Sequence, residues 1–210
     1  MFSPDDVLLI GISGGKDSLA LLSLLNQIHS HVQSIHIPFR KDESTQFHDY
    51  CNGLAKFHVA ETDIESQLHD YKKKPCYYCS RLRRKYILEY AQENGISKIV
   101  FAHHRDDVVE TFLMNMLYQD EISTMMPKQV LFGGKFEIIR PFFMVPEYLI
   151  QKYAVEQNLP VAKNPCAFTN DTKRESVREL LKHMQKQNQS RDIREHIFKS
   201  ILHINPEFMP

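Results

Sequence analysis

Residues 9–22 read LIGISGGKDSLALL: an apolar run, broken by Ser-Gly-Gly-Lys-Asp-Ser, resumes as a leucine-rich stretch. A buried strand that turns through glycines into a helix is the local plan of an anion site, because the helix start offers unpaired N–H groups and a positive dipole end. The common phosphate loop, G-x-x-x-x-G-K-[ST], does not fit. The position five before Gly15 is Ile10, and Lys16 is followed by Asp17. The physical logic survives in altered form. Ser13, Gly14 and Gly15 can turn backbone donors inward, Lys16 supplies a point charge, and Ser18 lies in the first turn of the helix. Asp17 is the informative residue. A carboxylate beside a polyphosphate repels it unless Mg²⁺ stands between them or the carboxylate caps the helix. A metal-linked carboxylate suits a reaction in which pyrophosphate leaves and AMP is transferred.

Outward from this loop, apolar runs and amphipathic stretches alternate. Strands are expected at 7–12, 32–39, 58–62, 98–102 and 136–142, with helices at 17–29, 43–57, 79–95, 107–119 and 146–158. The helix from residue 107 could open on a capping box of Asp107 with Glu110. Alternation of this kind implies βαβ units and a parallel sheet covered on both faces. After residue 160 the pattern gives way to a loop and two polar helices near 173–187 and 191–203, whose apolar content is too thin for a second core. The reading is an α/β domain over 1–160 with a C-terminal loop and helical extension over 161–210.

Bulk composition narrows the class. Hydrophobic content of 42% and charged content of 25% suit a globular chain, and a net charge of zero leaves any nucleic-acid signal to local clustering. No apolar run approaches the ~18–20 residues of a membrane span. The amino terminus, with Asp5 and Asp6 ahead of its apolar run, lacks a signal-peptide pattern. The expectation is a cytoplasmic protein with no membrane partner, in a compartment that keeps thiols reduced.

A second cluster follows the 98–102 strand: His103, His104, Arg105, Asp106 and Asp107. Strands of a parallel sheet end on one side, so this cluster meets the 13–18 loop at one crevice. Paired carboxylates there can hold Mg²⁺, and the histidines can donate to phosphate or move a proton. The plainer account is helix capping by Asp107 on a charged turn. Asp106 is the candidate for a nucleotide or metal role.

The hexapeptide SGGKDS after an apolar strand resembles the PP-loop of the ATP pyrophosphatase (N-type) superfamily, whose members adenylate a carbonyl oxygen and release pyrophosphate. The resemblance implies a HUP-type (adenine nucleotide alpha hydrolase-like) sheet of five parallel strands in the order 3-2-1-4-5. CSRLRR (79–84), HHRDDVVET (103–111), IRP (139–141) and NPC (164–166) together resemble the tRNA 2-thiocytidine synthetase family, over roughly residues 7–170. The similarity implies that ATP lies across Ser13 to Ser18 near His103 and His104, with Ile37 against adenine and Asp17 and Asp106 beside Mg²⁺. It also implies that Cys76, Cys79 and Cys166 bind a [4Fe–4S] cluster. At the last site the family has a second C-x-x-C, whereas here Thr169 stands in its later position. A sulfur donor (a cysteine desulfurase or sulfide), tRNA and a second copy of the chain are the implied partners.

Read from the residues alone, three thiols have several uses. They can hold three irons of a cubane cluster and leave the fourth open. One can carry a persulfide that another resolves. Zinc would want a fourth ligand. Cys51 stands apart and reads as a packed small hydrophobe.

Residues 72–85, KKKPCYYCSRLRRK, hold seven cations and no acid around two of these cysteines, a local footprint for RNA. Tyr77 and Tyr78 can stack a splayed base or pack inward. Residues 173–199 add eight cations against four acids, suited to backbone phosphates. The leading function is an ATP-dependent tRNA sulfurtransferase. Its rivals are an amine ligase of lysidine-synthetase type with structural cysteines, and a non-catalytic RNA- or metal-binding protein.

Overall fold

A computed structural model describes residues 1–40, 46–68, 75–162 and 173–208. The chain runs β1 (Leu8–Ile12), α1 (Lys16–Ile28), β2 (Val32–His36), α2 (His48–Leu54), β3 (Lys56–Val59), α3 (Ile64–Leu68), α4 (Pro75–Glu93) and β4 (Lys98–Val100). It continues through α5 (Arg105–Tyr118), β5 (Lys128–Leu131), β6 (Phe136–Ile139), α6 (Glu147–Glu156), α7 (Lys173–Gln187) and α8 (Ile193–Leu202). One sheet has the order β3-β2-β1-β4-β6-β5.

Alternation along the strands explains the layers. Leu8, Ile10, Ile12, Val100 and Ile139 pack on one face against α1, α2 and α6; Leu9, Ile35, Ile99 and Ile138 pack on the other against α3 and α4. Successive side chains of a strand point to opposite faces, so every position of β1 must be apolar or small when helices cover both sides. Chain order reverses across β1, with β2 on one side and β4 on the other. That reversal opens a crevice at the carboxyl ends of β1 and β4.

The sheet differs from the expected one at its edge. Five strands are parallel, but β5 adds a sixth, antiparallel strand paired from Lys128↔Ile139 to Leu131↔Phe136. Its sequence, KQVL, is short and polar and carries no run long enough to read. Strand β6 stops at Ile139, three residues early, because Pro141 has no N–H for a ladder. Helix α5 starts at Arg105, and its cap is His104 rather than Asp107. His104 Nδ1 accepts from the Asp107 N–H at 3.4 Å, and Asp107 Oδ2 accepts from the His104 N–H at 3.1 Å.

Helices α7 and α8 lie on α5 through a third apolar cluster in which Val177, Leu181 and Phe198 meet Val108, Val109 and Leu113. Ion pairs fasten the same seam. Arg178 Nε lies 2.8 Å from Glu110 Oε1, Arg105 reaches Asp192 at 2.9 Å, and Arg194 reaches Asp106 at 3.1 Å. Among the described residues no helix is long and apolar enough to cross a membrane.

Candidate active site

The 13–18 loop is held by its own hydroxyls. Ser13 N–H donates to Ser18 Oγ at 3.2 Å, Ser18 Oγ donates to Gly15 O at 3.0 Å, and Gly15 N–H donates to Ser13 Oγ at 3.2 Å. Gly14 has φ +78°, and a Cβ there would stand 2.9 Å from the Phe47 ring. Conformation and space therefore both exclude a larger residue. The Gly14 carbonyl accepts from Ala162 N–H at 2.9 Å, which ties the loop to the chain beyond α6. Gly15 caps α1 without a side-chain bond. The helix start thus keeps the orphan donors that suit a phosphate.

Lys16, mostly buried, points its Nζ between two carboxylates, 2.9 Å from Asp17 Oδ1 and 2.8 Å from Glu147 Oε1. Burial pulls its pKa down, but hydrogen bonds to Asp17 and Glu147 outweigh that and hold it above the ordinary lysine value. Glu147 responds in kind: burial would raise its pKa, and Lys16 brings it below the usual carboxylate value. No local pattern announces this partner, since an acid after Pro146 in a first helical turn reads simply as a dipole match.

The 103–107 cluster does come to the same crevice. His104 Nε2 stands 3.9 Å from Asp17 Oδ1 and 3.5 Å from Asp107 Oδ2. Asp106 has a different setting from the one expected of a magnesium ligand. Oδ2 accepts from the Glu147 N–H at 2.9 Å, so Asp106 caps α6, while Arg194 lies 3.1 Å from Oδ1. Protein donors thus engage both oxygens. Asp17 also has both oxygens on a donor, Lys16 Nζ at 2.9 and 3.1 Å, but it is about a third exposed beside the loop, so its chemistry fits a hard cation once that lysine turns to phosphate.

Next to the loop lies a cavity of about 510 Å³ lined by Gly11, Ser13, Ile37, Phe39, Cys76, Cys79, Arg83, Arg84, His103 and Arg174, among others. Ile37, expected near adenine, is buried in its wall. Gly11 keeps the floor low, because a Cβ there would meet Phe101 at 3.0 Å and Ile87 at 3.2 Å. Arg140, almost wholly buried, directs Nε toward His103 Nδ1 at 3.4 Å and donates to the Met126 carbonyl at 2.5 Å. Burial, foremost, lowers the His103 pKa to about 4 and that of Arg140 to about 10. His103 is therefore neutral at ordinary pH, with Nδ1 as acceptor and its proton on Nε2. Arg174, counted from the sequence only among the C-terminal cations, reaches the cavity while standing 3.5 Å from Asp107 Oδ1.

Helix α4 begins at Pro75, four residues earlier than expected, which places both Cys76 and Cys79 within its amino-terminal end. Residues three apart on a helix share a face, and both cysteines line the cavity. Two soft donors side by side fit part of the ligand set of an iron–sulfur cluster. Cys166 lies outside the described residues, as do Lys72, Lys73 and Lys74. No group of three potential metal ligands forms among the described residues. Cys51 is fully buried in α2, where burial pushes its thiol up to about 12, consistent with a packing role. Tyr77 is exposed, and Tyr78 packs partly against the core.

Comparison with known proteins gives the same lineage as the loop. Residues 3–184 match the PP-loop domain family. A tRNA-cytidine(32) 2-sulfurtransferase of Polynucleobacter asymbioticus is 31% identical over 222 aligned positions, covering all of this chain and 73% of the relative. A tRNA-cytidine(32) 2-sulfurtransferase 1 of Francisella philomiragia is 33% identical over 87% of this chain and 77% of its own length. Among solved structures, the U34-tRNA thiolase NcsA from Methanococcus maripaludis with its [4Fe–4S] cluster superimposes with a TM-score of 0.74 at 20% identity. The superposition covers 97% of this chain and 74% of that one, a likeness of fold. With its SGGKDS loop at the β1–α1 turn, the chain belongs to the PP-loop family and, within it, to the tRNA-cytidine(32) 2-sulfurtransferases.

Proposed function

We propose that the protein is an ATP-dependent sulfurtransferase that adenylates the carbonyl oxygen of a pyrimidine in tRNA, cytidine 32 by analogy with its relatives, and replaces that oxygen with sulfur. One observation carries the reading: Ser13 of the nucleotide loop, Cys76, Cys79 and the neutral His103 open onto one cavity. Together they support base activation and sulfur chemistry in the same place.

ATP binds with its phosphates at the start of α1, where Lys16 exchanges Asp17 and Glu147 for phosphate oxygens. Asp17, released by Lys16, would hold Mg²⁺, whose charge would screen the phosphates and ease the departure of pyrophosphate. The base oxygen attacks the α-phosphorus as the bond to the pyrophosphate oxygen breaks. His103 is placed to donate from Nε2 to an oxygen in the cavity without carrying charge itself. An amide-like carbonyl has no leaving group, and adenylation provides one. Sulfur then adds at carbon and AMP departs with the original oxygen. Cys76 and Cys79, with Cys166, would hold a [4Fe–4S] cluster, which supplies an open iron for sulfur when bound.

The acceptor is tRNA, the sulfur comes from a cysteine desulfurase or sulfide, and the enzyme works in the cytoplasm as a homodimer. Residues 161–210 serve the 1–160 domain as an extension. The test is nucleoside mass spectrometry of tRNA incubated with anaerobically purified protein, ATP, Mg²⁺, sulfide and lysine, the last as the competing amine. Formation of 2-thiocytidine with AMP supports the reading. AMP and an amine adduct, with no sulfur in the product, would replace it by the amine ligase.

A further inference from the structure

A second concave surface lies on the outside of α4, apart from the nucleotide loop. Arg81, Arg84 and Lys85 stand on one helical face, since they are three and four residues apart. Lys135 faces them from the β5–β6 hairpin, with Phe132 beside it; all of these residues are exposed. The groove measures about 440 Å³. Its one lining carboxylate, Glu89, is matched by Lys85 at 3.7 Å, and among the described residues neither Arg81 nor Arg84 has an ion pair. The groove therefore carries a net positive charge.

Phe132 makes this surface specific in kind. It is 71% exposed, and its backbone has φ +50°. A bulky side chain in the left-handed region is disfavoured, and this one gives the core little in return beyond an edge contact with Phe136 at 6.2 Å. A ring held outward among cations is the arrangement by which proteins bind single-stranded nucleic acid, with stacked bases and neutralised phosphates. Arg84 lines both this groove and the active cavity, so the two lie side by side along α4.

We propose that the groove between α4 and the β5–β6 hairpin is the path of the RNA strand flanking the modified base, with Phe132 stacking on one of its nucleotides. The proposal rests on the reading of the chain as an RNA-modifying enzyme. The edge hairpin then serves to present one aromatic ring and one lysine opposite α4.

Fluorescence anisotropy with a labelled anticodon stem-loop RNA carrying cytidine 32 tests it on the full-length protein. Phe132→Ala should weaken binding about tenfold, and Phe132→Tyr should restore it. Arg81→Glu with Lys135→Glu should make the slope of log affinity against log salt shallower by about 1.4. All three proteins should bind ATP and melt as wild type does, since none of these side chains is in the loop or the core. Wild-type affinity and slope in every variant would overturn the groove while leaving the enzymatic reading intact. A wild type that binds no RNA would overturn both. If Phe132→Ala instead dissociates a dimer and keeps RNA affinity, the groove belongs to a second copy of the chain and the proposal fails.

Discussion

Lys16 Nζ lies 2.8 Å from Glu147 Oε1, a contact across 131 residues that joins the start of α1 to the start of α6. With Asp17 on its other side, the ammonium has two carboxylates to give up before it can serve a phosphate. Lys16→Ala should lower AMP formation about 10²–10³-fold, the usual cost of one donor aimed at developing charge. Glu147→Gln removes a competitor of modest strength, for partly exposed pairs are worth about 0.2–1 kcal/mol. The KM for ATP should then fall about two- to fivefold. Steady-state kinetics decides: a raised KM would make Glu147 a positioning residue rather than a rival.

Cys76→Ala and Cys79→Ala should each abolish thionucleoside formation and strip iron from the anaerobically purified protein. ATP binding should persist, because hydroxyls within residues 13–18 set the loop. Cys51→Ser is the internal control. It keeps its iron but loses about 1–3 kcal/mol of stability, because a hydroxyl replaces a buried thiol with no partner provided. Iron analysis beside a urea melt separates these outcomes.

His103 should titrate near 4, well below a free imidazole, as followed by NMR of the ring. The unfolded chain binds this proton at about 6.5. Between the two values the unfolded state carries more protons, so stability rises with pH from about 4 to about 6.5 and is level above. An activity profile with an acid limb near 6 would have to come from another group. A ring titrating near 6.5 would remove the neutral Nε2 donor from the mechanism.

Arg178 tests how the C-terminal helices are fixed. Its Nε meets Glu110, which burial leaves with a raised pKa. Arg178→Ala strands that carboxylate with only Arg174, 3.7 Å away. The expected loss is about 2 kcal/mol in a denaturant melt, below the full cost of breaking a buried pair because Arg178 is partly exposed. Adding Glu110→Gln to the same chain should recover much of it. No recovery would mean that the loss comes from the contacts of Arg178 itself and not from a stranded Glu110.

Where signals are local, the sequence is legible. Ser-Gly-Gly-Lys-Asp-Ser specifies its turn within six residues, and the apolar run of β1 already requires helices on both faces of the sheet. The C-x-x-C spacing puts two thiols on one side of a turn wherever α4 begins. Weak or shared signals mislead. KQVL is too short and polar to declare a strand, so the edge hairpin stays hidden until the fold brings it to β6. Asp107 reads as the cap because aspartate is the commoner one, while a histidine can accept the same N–H.

Residue type and spacing thus determined the strand–loop–helix, the thiol pair and the basic stretch around it, since turn chemistry and periodicity act over a few positions. Packing alone decided that Glu147 meets Lys16, that Asp106 serves α6 and Arg194, and that Phe132 faces Arg81 across a groove. These pairs come from elements far apart in the chain. Their distances depend on how helices settle on the sheet, which no local pattern encodes.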